Sequence, residues 1–319
     1  MAGEFELIGR HFNWPVPSGV LGVGDDCALL PVSPGHRLAV TTDLLVEGRH
    51  FFADADPESL GHKALAVNVS DLGAMGARPL GCLLGLSLPR IDDNWLEKFS
   101  RGFRALSDAL HCPLVGGDTT RSPDGVIISV TAMGEVPIGA ALKRSAARPG
   151  DDIWVSGSLG AAHVALELLQ GGHPQHTGLL ETLRPALERP QPPVTFGAAL
   201  AGLAHAAIDI SDGLLQDLAH ILKASGCAAE IDYPSLPVHP ALAGLDAAVV
   251  QRAVLNGGDV YQLCFTAAPA ARPRIEALAQ EHRVAVCIIG QVRPGTGATV
   301  SGCPMPLGAD GHAGFDHFG

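Results

Sequence analysis

The residues from Asp56 to Gly76 constrain the fold more than any other stretch of this sequence. Asp56, Pro57 and Glu58 combine an N-cap carboxylate, a proline at the first helical position and an acid in the first turn, and together they start a helix. Gly76, with Pro79 just beyond it, stops that helix. Between them Ala64, Leu65, Val67, Leu72 and Met75 supply the apolar face of about five turns. Asp71 falls inside this small and apolar run, where a carboxylate is costly unless something cationic meets it. Alone, it reads as a helix cap or a buried partner for Lys63 or Arg78. The other acids of the chain decide what it is for.

With 319 residues, 47% hydrophobic and only 17% charged, the chain has the material for two ordinary domains and a sizeable core. Its net charge of −12 argues against nucleic acid or an anionic membrane as a partner, since either would require a Lys/Arg footprint. A phosphate substrate would also be repelled unless metal ions intervene. The seven cysteines are scattered singly with no CxxC pair, which suits buried, reduced thiols in a cytoplasmic protein. The first residues lack the basic and apolar regions of a signal peptide, and no apolar run reaches the roughly 18 residues a bilayer span needs.

Along the chain a short helix over residues 4–13 leads to a proline loop. Gly22 to Leu30 reads as a glycine turn with paired acids entering a strand. A strand from Arg37 to Thr42 follows, ending at Asp43, with His50 seven residues on. After the helix around Asp71 come a strand over 80–88, a helix over 93–110, a strand ending in Gly116-Gly117-Asp118, and a strand over 126–133. The turn chemistry of 144–152 marks a boundary between halves of residues 1–143 and 144–319. The second half repeats the alternation, with strands near 153–156, 228–232 and 284–291 and helices over 161–170, 213–225 and 274–282. The class is therefore α/β or α+β. Ser70-Asp71 and Gly116-Gly117-Asp118 are echoed by Ser211-Asp212 and Gly257-Gly258-Asp259, each pair of acids being 47 residues apart. The echo suggests duplicated halves.

Asp26, Asp43, Asp71, Asp118 and Asp212 each follow Gly, Asp, Thr or Ser and adjoin an apolar element, and Asp209 makes a sixth. Carboxylates beside hydroxyls such as Thr41, Thr42 and Ser211 are hard oxygen ligands, suited to Mg²⁺ and poorly suited to zinc. Small neighbours allow a polyphosphate to approach backbone N–H groups. Two like charges 4 Å apart repel by about 4 kcal/mol at an effective dielectric near 20, so several aspartates would exclude a triphosphate without bridging cations. There is no GxxxxGK[ST] loop, no kinase HRD or DFG set and no GxGxxG between strand and helix.

Gly24-Asp25-Asp26-Cys27-Ala28, Thr41-Thr42-Asp43, His50, the run Lys63 to Leu72, Gly116 to Thr120, Arg144-Ser145, Asp209 to Leu214 and the ending Gly314 to Phe318 occur in this order over nearly the whole chain. In this the sequence resembles the thiamine-monophosphate kinase family, within the superfamily that includes aminoimidazole ribonucleotide synthetase. The resemblance implies two α/β halves, and a homodimer in which the N-terminal halves contribute strands to the interface. It implies transfer of the ATP γ-phosphoryl group to thiamine monophosphate. Asp26, Thr41, Thr42, Asp43, Asp71, Asp118, Asp209 and Asp212 would then hold several Mg²⁺ ions. Gly117, Asp118, Arg144 and Ser211 would contact ATP, and His50, Asp259 and Phe315 the thiamine substrate. Arg144 also reads as a solvated boundary residue, His50 as packing beside Phe51 and Phe52, and Phe315 as a tail anchor.

One stretch departs from the family, which usually has Glu-Asp-Tyr-Glu where this chain has Asp259-Val260-Tyr261-Gln262. Two acids are lost and one is shortened, which bears on substrate choice. The rivals are an aminoimidazole ribonucleotide synthetase-like enzyme and a non-catalytic nucleotide or thiamine-phosphate sensor.

Overall fold

The computed structural model describes residues 4–24 and 27–305. The chain forms two compact units, the first made of the residues up to Leu72 with Ala77–Ile138, the second of Gly73–Gly76 with the residues from Gly139 onward.

In the first unit the order is α1 (Glu4–His11), β1 (His36–Val46), α2 (Pro57–Ala74), β2 (Arg78–Leu88), α3 (Asp93–Leu110), β3 (Leu114–Arg121) and β4 (Ile127–Pro137). The four strands make one sheet in the order β1-β4-β2-β3, with only β2 and β3 parallel. Helix α2 begins as the sequence predicts. The Asp56 carboxylate accepts from the Ser59 amide at 2.9 Å and from its hydroxyl at 3.0 Å. It ends on Gly76 in the left-handed region, with the Ala77 amide reaching back to the Leu72 carbonyl at 2.8 Å, a Schellman closure. A Cβ on Gly61 of α2 would sit 2.0 Å from the Phe99 carbonyl oxygen, and one on Gly102 of α3 would sit 1.8 Å from that of Glu58. These two glycines let α2 and α3 cross backbone to backbone.

The sheet has two unlike faces. Val130, Ala132, Cys82, Leu84 and Leu86 are buried on the face toward α2, whereas Leu38, Val40 and Leu44 of β1 are exposed on the other. Strand β1 runs through Asp43 to Val46, so Asp43 lies inside a strand whose alternation turns it toward α2. Among the described residues, the strand predicted to enter from Gly22 reduces to isolated bridge positions at Leu21, which pairs with Leu29, and at Val23. Leu29 stays exposed and has no sheet to pack on.

The second unit contains β5 (Asp152–Ser156), α4 (Ala161–Leu169), α5 (Leu180–Glu188), α6 (Val194–Ala199), β6 (Ala206–Asp209), α7 (Leu214–Ser225), β7 (Cys227–Asp232), α8 (Ala247–Asn256), β8 (Leu263–Ala267), α9 (Arg272–His282), β9 (Val286–Pro294) and β10 (Gly297–Ser301). Its six-stranded sheet has the order β10-β7-β9-β5-β8-β6. Every residue of β5 and β8 is buried, as both faces are covered. Ile153 and Val155 pack with Leu214, Leu218 and Ile221 of α7. Trp154 and Phe265 stack on the opposite face with Phe196 and Ile275.

The 47-residue echo does not mark equivalent positions. Asp71 lies within α2, whereas Asp212 lies in the loop that precedes α7. Asp118 belongs to a strand, but Asp259 sits in an irregular segment with φ of 59°.

Candidate functional site

In the first unit the structure brings together Thr41, Asp43 and Asp71. The Thr41 hydroxyl donates to the Asp71 carboxylate at 2.5 Å. The Asp43 amide donates to Asn68 Oδ1 at 2.9 Å, and the Asn68 side-chain amide donates to the Ala64 carbonyl at 3.0 Å. Asn68 thereby ties β1 to α2 and sets the two carboxylates side by side. Burial, and then the charge of Asp71, push Asp43 up to about 6. The Arg78 proposed from sequence as a partner for Asp71 instead pairs with Glu135, which also accepts from the Ser33 amide and hydroxyl.

Thr42 alternates to the opposite face of the sheet, where its hydroxyl donates to the Val130 carbonyl at 3.0 Å. Asp118 is exposed on β3, paired with Gly85, in the row that continues through Ser129 to Leu44 on that same face. Three strand spacings separate β3 from β1, about 14 Å. Within one chain, Asp118 is therefore apart from Asp43 and Asp71. Gly117 has φ of 153°, and a Cβ there would lie 1.9 Å from the Leu84 carbonyl oxygen, so this position requires glycine. His50 lies in the turn after β1 and accepts the Val46 amide on Nδ1 at 3.0 Å, which leaves the ring proton of the neutral form on Nε2.

In the second unit, Asp209 is buried at the end of β6, and Ser211 and Asp212 follow in the loop to α7. Residues 257–262 run alongside this loop. The Asp259 amide donates to the Ser211 carbonyl at 2.8 Å, the Tyr261 amide to the Ile210 carbonyl at 2.8 Å, and the Ile210 amide to the Gln262 carbonyl at 2.7 Å. Such an approach needs small residues: a Cβ on Gly258 would sit 2.4 Å from the Ser211 oxygen, and one on Gly213 2.5 Å from that of Asn256. Asp259 and Tyr261 both have positive φ, and the Tyr261 hydroxyl donates to the Asp259 carboxylate at 3.1 Å. Gln262 accepts the Ser156 hydroxyl at 2.8 Å and donates to the Gln191 carbonyl at 3.0 Å. Arg144 is exposed in a short 3₁₀ turn, and its carbonyl accepts the Ser225 hydroxyl at the C-terminal end of α7. Ser211 and Asp212 precede the other end of that helix, roughly 18 Å long for twelve residues. Asp26 and Phe315 lie outside the described residues.

Sequence reasoning missed Asp217. It is 3% exposed in the first turn of α7, and one carboxylate oxygen accepts the amides of Ser211, Asp212 and Gly213 at 3.0, 3.0 and 3.1 Å. The signal was present, because Asp217 lies on the same apolar stripe as Leu214, Leu218 and Ile221, the argument that singled out Asp71. At this loop the three backbone N–H groups are directed at Asp217.

Among the described residues, no three or more His, Cys, Asp and Glu side chains stand close enough to hold a metal ion alone. Pairs of carboxylates with adjacent hydroxyls match the ligation of Mg²⁺, which takes one or two carboxylates and completes its shell with water and substrate phosphate. The donor set fits that ion.

Residues 24–136 match the pattern described as AIR synthase related protein, N-terminal domain, and residues 148–302 the corresponding C-terminal domain. The thiamine-monophosphate kinase of Salmonella typhimurium is 42% identical over 327 residues, covering 99% of this chain and 98% of that protein. The crystal structure of thiamine-monophosphate kinase from Stenotrophomonas maltophilia K279a aligns with a TM-score of 0.83 and 46% identity, over 89% of this chain and 92% of that one. A structure described as AaThiL complexed with AMPPCP and TMP aligns at 0.75 and 32% identity, over 86% of each chain.

Proposed function

Since the chain belongs to the thiamine-monophosphate kinases of the AIR synthase-related family, we propose that it moves the γ-phosphoryl group of ATP directly, in line, onto the phosphate of thiamine monophosphate. The products are thiamine diphosphate and ADP. The observation that carries this reading is the Asp43–Asp71 pair, two carboxylates held together at an energetic cost that a structural role alone does not require. In the first unit Asp43, Asp71 and the Thr41 hydroxyl, and in the second unit Asp209 and Asp212, are the residues that would hold Mg²⁺. Bound there, the ions would offset the repulsion between two anionic phosphates and the acidic protein.

The remaining work falls to positioning. The nucleophile is a phosphate oxygen already ionised near neutral pH, so no side chain has to remove a proton. Asn68 fixes the separation of β1 and α2, and Gly117 keeps β3 flush with β2. Ser211 and Arg144 are proposed nucleotide contacts. His50, with Nε2 as a donor, and Asp259 are proposed contacts to the thiamine substrate. Two copies of the first unit's sheet would bury Leu38, Val40 and Leu44 in a homodimer, and Thr42 and Asp118 share that face. A second copy seated there would place Thr42 and Asp118 in the interface. No helix among the described residues is long and apolar enough to cross a membrane, and the seven cysteines are free, in keeping with a cytoplasmic enzyme.

Incubation with ATP, Mg²⁺ and thiamine monophosphate, followed by separation of the thiamine phosphates, tests the reading. Thiamine diphosphate should accumulate one for one with ADP, and EDTA should stop it. Turnover untouched by chelation, or tight binding of both substrates without product, would overturn it.

A further inference from the structure

A helix N-terminus preceded by small residues ordinarily presents amides to phosphate. At the start of α7 the main chain is already used. Ile210 gives its amide to Gln262 and its carbonyl to Tyr261. The Ser211 carbonyl takes the Asp259 amide, and the Gly213 carbonyl takes the Asp217 amide at 2.9 Å. The three consecutive amides of Ser211, Asp212 and Gly213 all point at one oxygen of Asp217. The N-cap residue itself, Gly213, has no side chain to offer. The Asp217 carboxylate stands where a bound anion would stand, and it belongs to the chain itself.

We infer that Asp217 is a positioning residue: by filling the 211–213 amides it commits this loop to meeting phosphate through cations on the Asp209 and Asp212 carboxylates, never through its own N–H groups. The consequence is a fixed backbone at Asp212, whose side chain also accepts the Gln216 side-chain amide at 3.3 Å. With its amide held from the helix side and residues 257–259 packed on the Ser211 carbonyl, the loop cannot rotate its peptides toward an anion. Asp217 is buried, with the Cys264 thiol close enough to feel its charge. This inference rests on the kinase reading above and deepens it.

The test uses Asp217→Ala and Asp217→Asn in the full chain, with two readouts. The first is hydrogen exchange of the 211–213 amides in metal-free protein. Removing the acceptor should accelerate these three amides by about tenfold to a hundredfold while β6 and β8 keep their protection. Formate, which fits the vacated position, should slow them again in Asp217→Ala and do nothing in the parent. The second readout is turnover, where KM for Mg·ATP should rise by about tenfold or more, with partial recovery in formate but not in chloride. The Asn variant should fall between parent and Ala, since an amide oxygen accepts N–H groups without the charge. If the Ala and Asn variants fold, and their amide exchange and Mg²⁺ dependence stay within twofold of the parent, the inference is wrong. A loss that formate leaves unchanged in both readouts also defeats it, because that is what a merely structural residue would give. A parent protein that makes no thiamine diphosphate would instead defeat the kinase reading, and the exchange experiment would still decide the role of Asp217.

Discussion

Replacing Asp43 with Asn should make the metal-free protein more stable while removing its activity. The rise of the Asp43 carboxyl from 3.8 to about 6, at about 1.4 kcal/mol per unit, corresponds to roughly 3 kcal/mol of strain in the ionised form. Asparagine keeps the backbone amide donated to Asn68, removes the repulsion with Asp71 and can donate to that carboxylate. It still buries a polar group, so the expected gain at pH 7 is about 1–3 kcal/mol. The sign follows from linkage. Between pH 3.8 and about 6 the native state binds more protons at this position than the unfolded chain, so the parent loses stability as pH rises through that window. The Asn variant lacks this contribution, and the gap between the two should open from near zero at pH 4 to its full value at pH 7. Urea denaturation in EDTA at several pH values measures it. Added Mg²⁺ should close the gap by stabilising the parent alone. A gap independent of pH, or a variant less stable than the parent at pH 7, would refute the reasoning.

Asp71→Asn should abolish thiamine diphosphate formation with unchanged circular dichroism; retained activity would remove Asp71 from the site. Gly117→Ala places a methyl carbon against the Leu84 carbonyl at a backbone angle unsuited to alanine, and should cost about 3 kcal/mol of stability in denaturant titration. Val40→Glu, on the exposed sheet face, should convert the proposed dimer to a monomer in sedimentation without unfolding the chain; sedimentation identical to the parent would dispose of that face as the interface. Gln262→Glu exchanges a donor to the Gln191 carbonyl for an acceptor, and should lower stability by about 1 kcal/mol at pH 7 but little at pH 4, where the new carboxyl is protonated.

The boundaries of α2 were legible because they are local: a capping carboxylate, a proline and a left-handed glycine act over a few residues. The alternation of strands and helices was legible for the same reason, and so was the hard-oxygen character of the acids, which is a property of residue types. The strand expected at Leu29 was not there, since a strand exists only when a neighbouring strand takes up its hydrogen bonds. The grouping of the acids needed the sheet order. Asp43 and Asp118 look alike in sequence, yet placing β1 and β3 at opposite edges and giving the two residues opposite parity sets them on different faces. The position of Asp217 on an apolar stripe could have flagged it, but its role was hidden, because the three amides it accepts come together only when the loop before α7 folds back over the helix's first turn. The sequence by itself determined which chemistry was available: an acidic, hydroxyl-bearing chain suited to divalent cations, with its helix ends marked. Only the tertiary structure decided which carboxylates stand together and which amides are already taken, because both depend on contacts between residues far apart along the chain, whose pairing no local preference specifies.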